Sequence, residues 1–196
     1  MIDETVPLGD VLPETYKGLE LHEIPNNWQW APFGLAANIE SNLVDPLPFG
    51  DMPHIAPNHI ESLTGRLLSY STIAEDGVSS GKHVFYPGQL LYSKIRPYLR
   101  KAVVVNFSGL CSADMYPISG KESSVIFLKY WLLSDDFNSM AAMSQDRTVL
   151  PKINQITLNS IPIPQELHLH KTKKALPDAR VWECRSHSLS GSVPAF

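Results

Sequence analysis

The chain has 196 residues, 43% of them hydrophobic, and a formal net charge of −4, which is the composition of a globular domain with enough apolar side chains for a core. It contains no run of about 18 apolar residues, and its N-terminal stretch is acidic and punctuated by proline. The sequence therefore predicts neither a membrane span nor a secretory signal, and the expected location is cytoplasmic. Two cysteines are too few for a disulfide framework or a cysteine metal site. Cys111 has an apolar setting that favours a small buried thiol over a reactive one.

Composition and periodicity divide the chain into three parts. Residues 1–23 are polar and lack periodicity, which predicts an N-terminal leader. Residues 24–166 carry the apolar segments of a folded domain. Residues 167–196 have no amphipathic period and predict a C-terminal tail that is either disordered or outside the original reading frame.

The first half of the folded part predicts short strands and turns. Residues 33–39 predict a short apolar helix that ends near Asn42. Proline-dense chain from 45 to 57 favours extended, irregular structure. Strands are predicted at 83–86, 89–93 and 101–106, separated by turn residues.

The second half predicts helices. Residues 123–133 are apolar at helical spacing, with Ser123 as the expected cap. A second short helix is predicted at 134–143 and a last one at 154–161, where the following prolines end it.

A dense cluster of positive charge lies between the last two predicted strands. Lys94, Arg96, Arg100 and Lys101 stand within eight residues, together with Tyr98. Lysine ammonium groups suit phosphate, arginine guanidinium groups can form a bidentate fork on guanine, and the tyrosine can stack or hydrogen-bond to phosphate. The alternative is a solvated hairpin edge whose cations keep the sheet soluble.

A second basic and amide-rich patch occupies residues 145–155. Arg147 and Lys152 supply its charge, and Asn154 and Gln155 carry amides that can read adenine. The alternative for Asn154 is the N-cap of the last helix. His54 and His59 lack a supporting carboxylate or thiolate pattern, so no metal site is predicted.

Five short motifs follow one another along the chain: Ile24–Trp28 (IPNNW), Pro87–Pro97 (PGQLLYSKIRP), Cys111–Met115 (CSADM), Pro151–Asn154 (PKIN) and Ile161–Pro164 (IPIP). Taken in this order, they resemble the target recognition domain of the specificity subunit of type I restriction–modification systems. The resemblance covers about residues 24 to 164 and makes 24–166 the expected target recognition domain.

The resemblance implies an α+β fold: a β-rich, β-helix-like DNA methylase specificity domain with short packed helices. It implies recognition of one half of a bipartite double-stranded DNA site, in partnership with methyltransferase and restriction/translocase subunits. The expected DNA-binding residues are Lys94, Arg96, Tyr98, Arg100, Lys101, Arg147, Lys152 and Asn154. The long helix that follows the IPIP element in the family is not readable here, and only one recognition domain is present.

The sequence offers no motif for catalysis. It has no P-loop, dinucleotide fingerprint, nucleophile elbow or paired acid and base, so a non-catalytic protein without a cofactor is expected. One alternative is a β-rich module that binds protein or carbohydrate through an aromatic face of Tyr86, Tyr92 and Tyr98. Another is a small hydrolase whose site the sequence does not reveal.

Overall fold

The computed structural model describes residues 14–16, 21–121, 123–143 and 151–166, all within one compact unit that extends to Glu166. The predicted tail, most of the predicted leader and Arg147 lie outside the described residues. The limits 24–166 for the recognition domain stay a prediction.

The described part contains ten strands and five α-helices, connected by short 3-10 turns. The strands are β1 (Trp28–Pro32), β2 (Ala37–Ile39), β3 (Leu43–Val44), β4 (His54–Ile55), β5 (Lys82–Phe85), β6 (Leu90–Ser93), β7 (Ala102–Val104), β8 (Gly109–Ser112), β9 (Met115–Gly120) and β10 (Pro162–Glu166). The helices are α1 (Phe33–Ala36), α2 (Ile73–Asp76), α3 (Val125–Leu133), α4 (Asp135–Met143) and α5 (Gln155–Ser160). The fold is therefore mixed α and β with short helices, as predicted.

The strands form a two-stranded ribbon and two four-stranded sheets. The ribbon pairs β1 with β10, the first sheet has the order β2-β9-β6-β7, and the second has the order β3-β5-β8-β4. All pairs are antiparallel except β4 with β8. The first sheet will be called the central sheet, because both of its faces are covered.

Alternating side chains of the central sheet enter two different cores. Leu90 and Tyr92 of β6 face the larger core, which α3, α4 and α5 complete, whereas Leu91 faces a smaller core shared with the second sheet. All three side chains are fully buried. Since successive residues of a strand point to opposite faces, burial on both sides explains why β6 reads as a continuous apolar run.

The buried thiol predicted at Cys111 is confirmed. Cys111 lies opposite His83 in the second sheet and has no exposed surface. Burial raises the pKa of its thiol to about 12, so the group behaves as a small hydrophobe rather than a nucleophile.

Several predicted elements differ in extent from those observed. The helix predicted at 33–39 is wrong in its second half, because Ala37–Ile39 forms β2 and pairs with β9. The cap of α3 is Ser124 rather than Ser123, and its hydroxyl oxygen accepts from the Ile126 amide. The predicted strands at 83–86, 89–93 and 101–106 and the three predicted helices of the second half are confirmed with shifted ends.

Gly109 tests how tightly the second sheet is packed. A Cβ there would lie 2.7 Å from the carbonyl oxygen of Pro53 and 2.6 Å from the ring of Phe85, which is fully buried in the smaller core. We expect Gly109→Ala to lower the free energy of unfolding by about 1–3 kcal/mol in denaturant titration. Gly50→Ala is the matched control, since its Cβ would meet only Ala74 at 3.6 Å and should leave stability nearly unchanged. Equal stability of the two variants would contradict the packing described here.

Candidate nucleic-acid interface

The basic cluster predicted from the sequence forms the tip of the hairpin between β6 and β7. We call residues 94–101 the basic tip. Strand pairing places Tyr92 opposite Ala102, and the Ser93 amide donates to the carbonyl of Lys101 at 3.0 Å, so the tip is closed at its base. The prediction of a hairpin at this position is confirmed.

The backbone of the basic tip is held in one conformation by a 3-10 turn at Pro97–Leu99. Arg96 precedes the turn and Arg100 follows it, with φ of 46° and 48°. The amides of Leu99 and Arg100 donate to the carbonyls of Arg96 and Pro97 at 2.9 and 2.8 Å. Proline fixes its own φ, so the tip is a preorganised loop rather than a flexible one.

The segment before α5 lies along the basic tip. The Arg96 amide donates to the carbonyl of Pro151 at 2.8 Å, and the Ile153 amide donates to the carbonyl of Lys94 at 2.9 Å. A bridge pairs Ile95 with Lys152 between these two bonds. The structure therefore brings the two predicted patches together at Lys94 and Lys152.

Arg96 and Tyr98 are the exposed side chains of the basic tip. The Arg96 guanidinium has no side-chain partner among the described residues, and the Tyr98 side chain is 55% exposed. An arginine in this state keeps all its donors available for an external acceptor.

Arg100 and Lys101 are instead engaged within the protein. The Arg100 guanidinium forms an ion pair of 2.6 Å with Asp135 of α4, and its side chain is only 21% exposed. Lys101 Nζ donates to the carbonyl of Pro57 at 2.7 Å. Their charges contribute to the local field, but their donors are partly occupied.

Lys152 forms an ion pair with the carboxylate of Asp114, whereas Lys94 lies over the ring of Tyr116. Lys152 Nζ lies 3.0 Å from Asp114 Oδ1, and Lys94 Nζ lies 4.8 Å from the centre of the Tyr116 ring. Burial lowers the pKa of Lys94, an effect that Asp114 opposes and Lys152 adds to. Burial also raises the pKa of the Tyr116 hydroxyl.

Asn154 caps α5, the alternative that the sequence left open. Its side-chain Oδ1 accepts from the Thr157 amide at 2.8 Å. A bidentate contact with adenine uses both the oxygen and the nitrogen of the amide, so base reading by Asn154 would require loss of the cap.

The aromatic face proposed in the alternative interpretation is wrong at Tyr92. Its side chain is fully buried, packs edge-on against Phe137 at 5.9 Å, and has its hydroxyl pKa raised by burial. Tyr86 and Tyr98 are 56% and 55% exposed. The three tyrosines therefore do not share one exposed surface.

The two histidines considered as metal ligands lie close together, and His54 is paired with a carboxylate. His54 Nδ1 lies 2.6 Å from Asp76 Oδ2, and the His54 and His59 rings are 6.1 Å apart. Within residues 14–16, 21–121, 123–143 and 151–166, no group of three or more His, Cys, Asp or Glu side chains could hold a metal ion.

Sequence reasoning missed the carboxylates that neutralise part of the site. Asp114 is 38 residues from Lys152 in the sequence. Asp135 belongs to α4, which follows the last strand of the central sheet in chain order. No local pattern signals such pairs, since strand pairing and helix packing create them.

Comparison with known proteins bears on this fold and site. The chain is 52% identical over 149 residues to the specificity subunit of the Escherichia coli type I restriction enzyme EcoDI, which covers 76% of this chain and 33% of that protein. The predicted resemblance to a target recognition domain of a type I restriction–modification specificity subunit is confirmed. No family model matches the sequence.

Solved structures show the same fold at low sequence identity. A chain from a structural study of complex assembly and conformational transition of the type I R-M system superposes with a TM-score of 0.65 and 21% identity, covering 74% of this chain and 39% of that one. The HsdS subunit from Thermoanaerobacter tengcongensis gives a TM-score of 0.62 and 20% identity, covering 75% of this chain and 40% of that one.

This chain spans about a third of the length of the curated relative. Among the described helices, none is both long and apolar enough to cross a lipid bilayer.

Two substitutions of Asn154 distinguish its capping of α5 from any other role of its side chain. We expect Asn154→Ala to lower the free energy of unfolding by about 1 kcal/mol, because the Thr157 amide loses its acceptor. Asn154→Asp keeps a capping oxygen and should stay close to the unsubstituted protein in chemical unfolding. A loss of equal size in both variants would show that the amide nitrogen, not the cap, matters for stability.

Proposed function

We propose that this chain binds double-stranded DNA with sequence selectivity, as the specificity module of a type I restriction–modification system. The observation that carries the proposal is the exposed Arg96 guanidinium on a preorganised hairpin tip. The 52% identity to a type I specificity subunit supports the same class of function. A protein with a net charge of −4 can still present this local positive surface to DNA.

The cations of the tip have different roles in this proposal. Arg96 makes the fork to guanine in the major groove, since none of the described residues occupies its guanidinium donors. Lys94, Lys101 and Lys152 supply positive charge toward the phosphate backbone from partly engaged positions. Tyr98 stacks on a sugar or base or donates to a phosphate oxygen.

Arg100 takes part only when its pair with Asp135 opens. The Asp135 side chain is 88% exposed, and an ion pair in contact with water is worth about 0–1 kcal/mol. A DNA phosphate can therefore replace the carboxylate at small cost. Arg147, in the second predicted patch, remains a proposed DNA contact that lies outside the described residues.

In this proposal the chain itself is not catalytic and acts in the cytoplasm by directing methyltransferase and restriction/translocase subunits. The β-helix-like description of the fold is part of the same proposal. An aromatic module for protein or carbohydrate is not favoured, because burial of Tyr92 removes the middle of the face it needs.

Arg96 provides the main test. We expect Arg96→Gly to keep the backbone of the tip, because glycine adopts positive φ without strain, and to lose about 1–3 kcal/mol of discrimination between the preferred duplex and a random one. Arg96→Lys should keep general affinity but lose most of the discrimination, because an ammonium cannot form the fork. Both quantities follow from titrations of labelled duplexes at several salt concentrations.

The control for Arg96 is Lys121→Ala, which removes one positive charge from a side chain bonded to the Gly34 carbonyl instead of the tip. It should leave discrimination intact. If Arg96→Gly binds and discriminates like the unsubstituted protein, the tip is not the reading element.

Substitution of Asp135 tests whether its ion pair with Arg100 keeps that arginine from contacting DNA. Asp135→Asn should raise affinity for random duplex by up to about fivefold, roughly 1 kcal/mol, and steepen the log–log salt dependence by up to about 0.9 as Arg100 gains a phosphate contact. Asp136→Asn is the matched control, since it removes the same charge from the same helix but its carboxylate pairs with His22. Identical behaviour of the two variants would rule out release of Arg100 as the cause.

A further inference from the structure

A tight turn at residues 61–66 is bonded directly to the basic tip. The Leu63 amide donates to the carbonyl of Arg100 at 3.1 Å, at the end of the 3-10 turn. A bridge between Ile60 and Leu67 closes the base of the turn. We call residues 61–66 the tip-bound turn.

The tip-bound turn is held in shape by its own polar side chains. Glu61 accepts from Thr64 Oγ1 at 2.5 Å and from Arg66 Nη2 at 2.6 Å. These two hydrogen bonds lower the pKa of the Glu61 carboxyl, with the bond from Thr64 as the larger cause. A loop ordered before binding loses little entropy when it meets a ligand.

Leu63 combines two unfavourable properties at this position. Its φ is 69°, in the left-handed region that costs a residue with a Cβ about 1–2 kcal/mol, and its side chain is 61% exposed. It belongs to neither of the hydrophobic cores among the described residues. Neither packing nor backbone preference therefore accounts for a leucine here.

Gly65 in the same turn shows the ordinary solution to a positive φ. Its φ is 63°, and a Cβ would collide with the carbonyl oxygen of Ala102 and with the Lys129 side chain. The turn thus uses glycine where a side chain cannot fit and leucine where a side chain points to solvent.

All three non-glycine residues with positive φ in the described part belong to the tip-bound turn or flank the 3-10 turn to which it is bonded. They are Leu63, Arg96 and Arg100. Strained backbone that surrounding structure holds in place concentrates at functional sites, because the strain fixes side chains that the site needs.

We propose that Leu63 is a second specificity-determining residue of the DNA-reading surface and makes an apolar contact with the C5-methyl group of a thymine in the major groove. Thymine is recognised in that groove by its methyl group as well as by its O4 acceptor, and apolar side chains are the partners of the methyl. This inference rests on the proposed function, since it needs the basic tip to enter the same groove. Arg96 would then read guanine while Leu63 reads a neighbouring thymine.

The test removes the methyl group from the DNA and the side chain from the protein. A preferred duplex is selected from a randomised pool with the 196-residue chain, and each thymine is replaced in turn by deoxyuridine, which keeps the hydrogen-bonding edge but lacks the methyl. We expect one replacement to weaken binding by about fivefold or more, and Leu63→Ala to abolish that penalty. Leu63→Met, which keeps an apolar side chain, should retain part of it.

The ratio of the dissociation constants for the thymine duplex and the deoxyuridine duplex is measured with one preparation of each variant. Partial unfolding of Leu63→Ala affects both constants equally and so does not change the ratio. Leu47→Ala is the matched control, because Leu47 is 70% exposed in a turn that makes no hydrogen bond to the basic tip within the described part of the chain. Its loss should leave the penalty intact. If the unsubstituted chain selects a sequence but shows no uracil penalty, or Leu63→Ala shows the same one, this inference is overturned and the proposed function stands. If the unsubstituted chain selects no sequence at all, both fail.

Discussion

The pairing of β6 with β7 on one side and β9 on the other is the constraint on which the rest of the structure depends. It buries Leu90 and Tyr92 against the helices and Leu91 against the second sheet, so the central sheet cannot slide by one residue without moving every side chain to the wrong core. Because the register of the central sheet is fixed, the two ends of the hairpin tip are fixed as well. A loop whose two ends leave a doubly buried sheet presents its exposed side chains in one geometry, which base reading requires and simple charge attraction does not.

Apolar runs and turn residues in the sequence were enough to predict the hairpin and the helices of the second half. Residues 89–93 and 101–106 indicated strands because they combine apolar and β-branched side chains between glycine and proline turns. Residues 33–39 were misread because Ala37–Ile39 is apolar enough for either state. Its strand is decided by pairing with β9, more than 75 residues away. Information of that range is absent from a local window.

The same distinction applies to the candidate site. A count of nearby cations identified the basic tip, but it could not separate Arg96, which is exposed, from Arg100, which is bound to Asp135. The difference arises from the placement of α4 beside the tip, a tertiary fact. Leu63 had no signal at all, since an exposed leucine in a turn is ordinary until its backbone angle and its bond to Arg100 are known.

The carboxylates around the tip shape how this surface would meet DNA. Free cations attract any duplex with equal strength, and that sequence-independent attraction competes with selective binding. Asp135 pairs with Arg100 and Asp114 pairs with Lys152, while Arg96 is exposed and has no carboxylate partner among the described residues. Such an arrangement weakens general attraction more than it weakens a base contact, because the fork to guanine needs only one arginine, and no carboxylate in the described part of the chain holds Arg96. A basic tip in which Arg100 and Lys101 are engaged by the protein itself is thus suited to discriminate among sequences, provided that the backbone fixes the exposed arginine in place.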